Sequence, residues 1–127
     1  MHLVVNNVVH SFVRFVRDIR VSGFKRRSSE WSEVRKAFLA KNHICAVCGG
    51  SVKLEVHHKK SYITYPELEL DPSNLIVLCE SKSFGINCHE DIGHSGNYRF
   101  ENTNVERDVK TAKSIIMHFK NQVTDEC

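Results

Sequence analysis

The chain has 127 residues, 41% of them hydrophobic, which suits one domain with a modest core and is too short for two ordinary ones. Its net charge of +3 and pI near 8.6 permit an anionic partner such as nucleic acid without demanding one. No apolar run approaches the roughly 18 to 20 residues of a membrane span, and Asn6 and Asn7 interrupt an opening that lacks a basic leader, so a mature cytoplasmic protein is expected.

From Val5 the apolar positions Val8, Val9, Phe12, Val13, Val16 and Ile19 recur at helical intervals, which predicts an N-terminal helical extension over residues 1–26, closed by Ser22-Gly23. Residues 27–127 then form the main domain. Ser29 is the expected N-cap of the next helix, whose stripe of Trp31, Val34, Phe38 and Leu39 reads as core and which ends near Asn42. A glycine-rich knuckle, "ICAVCGG", leads into a strand predicted over Val52 to His57. "SYITYPELELDPSN" holds both prolines and reads as a loop, and "NLIVLC" as a short buried strand. "NCHEDIGHSG" suits a short helix stopped by Gly93 or Gly96. Last comes a long helix capped by Asn104, with Val105, Val109, Ala112, Ile115, Ile116 and Phe119 as its apolar stripe.

Five cysteines, with Cys45 and Cys48 in a C-x-x-C turn, point to metal or redox chemistry rather than a disulfide scaffold. Such a turn delivers two thiolates to one ion, and Cys79 and Cys88 would complete a tetrahedral zinc set. The alternatives are buried free thiols and a redox dithiol, the latter without the βαβ context that would support it. Cys127 is terminal and reads as a bystander. His2, His10, His43 and His118 read as ordinary surface or core residues.

Taken in order, "CAVCGG", "LEVHHKK", "NLIVLC" and "NCHEDIGH" resemble the HNH endonucleases, the ββα-metal or His-Me finger nucleases. Residues 27 to 113 look most like the small phage and prophage members. The resemblance implies an α+β fold: a hairpin and finger helix gripping one divalent metal, a zinc knuckle beside it, and flanking N-terminal and C-terminal helices. By resemblance, His58 is the general base, Asn74 fixes the hairpin loop and holds the base, and His57 and His89 bind the catalytic metal. His94 follows His89 by five residues where many members have four, and on an α-helix that interval puts the two on different faces. Either Gly93 bends the chain so that His94 reaches the metal, or His94 contacts phosphate or only packs.

The chemistry explains the residue types. Phosphodiester hydrolysis needs an activated water and stabilisation of charge on phosphate and leaving oxygens, and a histidine neutral near pH 7 can supply the base. Imidazole ligands suit Zn²⁺, Ni²⁺, Co²⁺ or Mn²⁺ better than tightly held Mg²⁺. Lys25, Arg26 and Arg27 could contact phosphates, and Lys59, Lys60 and Arg99 are the expected DNA contacts, giving salt-dependent affinity without sequence information. DNA is thus the expected partner, with phage packaging or other DNA-processing proteins suggested by the resemblance, in a bacterial or phage-infected cytoplasm. The rival reading is a non-catalytic zinc module that binds DNA or protein on the same fold. Since His57 and His58 lie on opposite faces of a strand, regular pairing is expected to end or bend there, with His57 toward His89 and His58 toward open solvent.

Overall fold

The computed structural model describes residues 26–82 and 85–125, so the expected N-terminal extension lies outside the described residues except for Arg26. Helix α1 spans Trp31–Lys41. Its cap position is Glu30 rather than the expected Ser29, because Ser28 is tied down from afar. Both carboxylate oxygens of Glu69 accept from the Ser28 amide at 3.1 Å, and the Ser28 hydroxyl accepts from the Glu30 amide at 3.2 Å. A tertiary contact therefore sets where the helix starts. The expected stripe packs as read: Trp31, Val34, Phe38 and Leu39 gather with Val56, Leu75 and Leu70. Arg35 latches the helix to Glu55 at 2.8 Å.

Strands β1 (Leu54–His58) and β2 (Leu75–Cys79) form an antiparallel pair, with Leu54 opposite Cys79 and His58 opposite Leu75. The expected break at His57 to His58 is not there. His57 pairs with Ile76 and His58 with Leu75, and the Lys59 amide still bonds the Asn74 carbonyl at 2.8 Å. The strand has no need to bend because different elements cover its two faces: α1 meets His58, while the chain after β2 meets His57. The 16-residue connection between the strands carries 3₁₀ turns at Pro66–Leu68 and Pro72–Asn74, the second capped by Asp71 accepting from the Ser73 amide.

After β2 the chain makes a π-helical turn, Cys88–Gly93, rather than an α-helix. Helix α2, Val105–Asp125, follows. Asn104 holds its cap position, its carbonyl accepting from the Asp108 amide, but Asn102 does more of the anchoring. Buried Asn102 accepts from the Asn104 amide and donates to the Ile92 carbonyl and the Asp108 carboxylate, each at 2.9 Å. Val105, Val109 and Ile116 enter a core with Val47, Leu78 and four cysteines. The expected stripe is only partly covered: Ile115 and Phe119 are 52% and 59% exposed among the described residues. No helix among the described residues is long and apolar enough to cross a membrane.

Candidate metal centres and nuclease site

The knuckle brings the first two cysteines together through its backbone. The Cys45 amide donates to the Gly50 carbonyl at 2.7 Å, the Cys45 carbonyl accepts from the Gly49 amide, and Gly49 takes the left-handed φ of +73° that the reversal requires. The Ala46 amide docks on the Val77 carbonyl at 2.9 Å, which carries the knuckle to the end of β2 and to Cys79. Cys88 arrives from the π-helical turn. The four sulfurs lie within 4.8 Å of one another, all buried, with Cys48 and Cys79 3.5 Å apart. A zinc–sulfur bond of about 2.3 Å in a tetrahedron places sulfurs about 3.8 Å apart, so this cluster fits zinc. A hydrogen bond from the Cys88 thiol pulls Cys45 down to about 4, whereas burial raises Cys48 and the bond to Cys45 raises Cys88. So many thiols packed together need a cation before all can ionise.

His57, His89 and His94 form a second cluster, their ligand nitrogens also within 4.8 Å. The ring centroids stand 4.7 to 5.3 Å apart and nearly edge to face. The π-helical turn explains how a five-residue interval serves: it closes hydrogen bonds from residue i to i+5, and the His94 amide bonds the His89 carbonyl at 3.1 Å. Residues five apart then share one face. Gly93 lets this turn sit against β1, because a β-carbon there would stand 3.3 Å from the His57 ring and 3.0 Å from Leu78.

The hydrogen bonds of these rings fix their tautomers. His94 Nδ1 lies 2.9 Å from the Phe100 carbonyl, which only accepts, so Nδ1 carries a proton and Nε2 is the nitrogen available to a metal. His89 Nδ1 faces the Glu80 carboxylate at 3.1 Å, with the same result. Tyr98 donates to that carboxylate at 3.2 Å while its ring rests against both histidines. Burial, and then the neighbouring His94 and His89, push the His57 pKa down to about 3, so its ring is neutral. Three imidazoles with ligand nitrogens this close together suit a borderline divalent cation.

His58 occupies the other face of β1. Its Nε2 lies 2.9 Å from the Glu69 carbonyl, leaving Nδ1 as the basic nitrogen, and burial lowers its pKa despite that bond. The ring is half-buried rather than turned to open solvent, tilted against Trp31 and Tyr62 with ring centroids 4.5 Å and 5.5 Å away. Even so, His58 and the three clustered histidines border one cleft of about 550 Å³. Buried Asn74 accepts from the Lys60 amide at 2.9 Å and donates to the Lys60 and Leu68 carbonyls, cross-linking the connection immediately after His58. Its side chain acts on the loop, not on the His58 ring.

The three expected DNA contacts separate. Arg99 borders the histidine cleft. Lys59 and Lys60 line a different depression beside the start of α2, where Lys59 is already paired with Glu106 at 2.7 Å and Lys60 lies over the Tyr65 ring. Glu80, Tyr98 and Glu69 were missed by sequence reasoning. Glu80 left a signal, an acid directly after Cys79, whereas Glu69 and Phe100 meet the histidines through carbonyls, which every residue has.

Residues 45–95 match the family model of the HNH endonuclease. No curated protein and no solved structure matches the chain. The matched span holds all four clustered cysteines, the paired strands and the π-helical turn, so this part of the chain is similar to the HNH endonuclease family.

Proposed function

We propose that residues 27–127 are a metal-dependent endonuclease that hydrolyses DNA phosphodiester bonds, leaving 3′-hydroxyl and 5′-phosphate ends. One observation carries the reading: His58, its Nε2 committed to the Glu69 carbonyl, faces the same cleft as the His57, His89 and His94 cluster. In this reading His58 Nδ1 takes a proton from a water in the cleft, and the water oxygen attacks phosphorus as the bond to the 3′ oxygen breaks. Asn74 holds the loop after His58 so that the ring keeps its aim, and Glu80 and the Phe100 carbonyl hold His89 and His94 with Nε2 free. A divalent cation on the three imidazoles, Mg²⁺, Mn²⁺, Ni²⁺, Co²⁺ or Zn²⁺, would stabilise charge on the phosphate and leaving oxygens. The four cysteines would hold a structural zinc. In this reading Arg99, which borders the cleft, meets the scissile strand, and Lys59 and Lys60 meet flanking phosphates, without reading bases. A bacterial or phage-infected cytoplasm with DNA-processing partners, phage packaging among them, suits this chemistry.

The test is plasmid nicking by wild type and His58→Ala across those five cations. The variant is expected to fold, keep zinc and bind DNA while its nicking rate falls by about 10²- to 10⁴-fold. Absence of nicking by wild type in every cation would favour the non-catalytic zinc module, and equal nicking by the variant would remove His58 from the mechanism.

A further inference from the structure

Arg27 lies outside the family match, yet its side chain borders the cleft that holds the four histidines. Its guanidinium carbon lies over two rings, 4.5 Å from the centroid of Trp31 and 4.5 Å from that of Tyr62. These are the same two rings that pack on His58. Glu69 ties the arrangement together: its carbonyl receives His58 Nε2, its carboxylate holds the Ser28 amide, and Oε1 stands 3.8 Å from Arg27 Nε. One edge of the guanidinium is thus turned toward an acid, while the far edge makes no hydrogen bond among the described residues. The side chain is 41% exposed.

A guanidinium packed over aromatic rings still presents its rim, and a rim with free N–H groups matches the paired oxygens of a phosphate. We propose that Arg27 is a phosphate-binding residue of this site, gripping the non-bridging oxygens of the phosphate presented to His58. The inference rests on the nuclease reading for its catalytic consequence, though not for the contact itself. Trp31, read from sequence as core, then also serves the cleft, because it sets Arg27 and His58 in fixed register. Arginine is wanted rather than lysine, because an ammonium neither stacks on rings nor offers a fork.

The experiment compares wild type, Arg27→Ala and Arg27→Lys for plasmid nicking and for the salt dependence of binding to a duplex oligonucleotide without divalent metal. Thermal melting and zinc content check the fold. Arg27→Ala is expected to lose about 10²-fold in kcat/KM, with Arg27→Lys recovering only part. Its log-affinity against log-salt slope is expected to shrink by about one phosphate contact. Because the alanine vacates the space over the Trp31 and Tyr62 rings, added methylguanidinium is expected to restore nicking. Unchanged nicking and slope in Arg27→Ala, with wild type active, would overturn the role of Arg27 and leave the nuclease reading standing. Lost nicking without a slope change or methylguanidinium rescue would also overturn it, since the residue would then only position its neighbours. If wild type does not nick, the nuclease reading fails alone and the slope still decides the contact: a shallower slope supports it and an unchanged slope refutes it.

Discussion

Gly93→Ala sets two effects of opposite sign against each other. Replacing glycine by alanine in a helical turn ordinarily stabilises by about 0.5–1 kcal/mol, since the unfolded chain loses freedom. Here the new β-carbon would stand 3.0 Å from Leu78 Cδ1 and 3.3 Å from His57 Cε1 and Nδ1, inside the roughly 3.5–4.0 Å at which carbon pairs attract. Leu78 is fully buried and His57 is 7% exposed, so neither has free space to swing into. Overpacking in such a place costs about 1–3 kcal/mol, which exceeds the entropic gain and leaves a net loss of about 1–2 kcal/mol. For a chain of this size that lowers Tm by about 3–10 °C. His57 would also shift by a few tenths of an ångström relative to His89 and His94, and Ni²⁺ affinity is expected to fall by about tenfold. Differential scanning fluorimetry and calorimetric titration of Ni²⁺ into the zinc-loaded protein measure both. A variant that melts at or above wild type and binds Ni²⁺ equally would refute the claim that close contact at Gly93 positions His57.

Glu80→Ala removes the acceptor of His89 Nδ1, so divalent-ion affinity at the histidine cluster is expected to drop about 10- to 100-fold; normal affinity would show that Glu80 does not orient the ligand. Asn74→Ala deletes three hydrogen bonds from a buried side chain, and urea unfolding should reveal a loss of about 1–3 kcal/mol. Its Ni²⁺ affinity should stay near wild type, because none of those bonds reaches the three clustered histidines. For the cysteines, metal analysis of the purified protein is expected to find zinc that Cys79→Ser largely loses together with a marked fall in Tm, since Cys79 is fully buried. Equal zinc content and melting in that variant would argue for free thiols.

Some features of this protein are local enough to be read from the chain. Strand alternation places His57 and His58 on opposite faces whatever surrounds them, and a C-x-x-C turn with two glycines aims Cys45 and Cys48 at one point. The α1 stripe is likewise legible, because helical period alone puts Trp31, Val34 and Phe38 on one side. Other features depend on which distant groups meet. Ser28 rather than Ser29 takes part in the start of α1 because Glu69, 41 residues away, holds its amide. Along α2 the period marks Ile115 and Phe119 as apolar but carries no information about what covers them, and they stand half-exposed.

The five-residue interval from His89 to His94 shows the division most clearly. Spacing by itself determined that an α-helix would separate the two rings. That the segment winds as a π-helical turn instead, setting both beside His57, was decided by the packing of Gly93 on Leu78 and His57 and by the tethers to Glu80 and the Phe100 carbonyl. The choice between the two windings lies in contacts made by residues far apart in the chain, so the tertiary structure had to settle it.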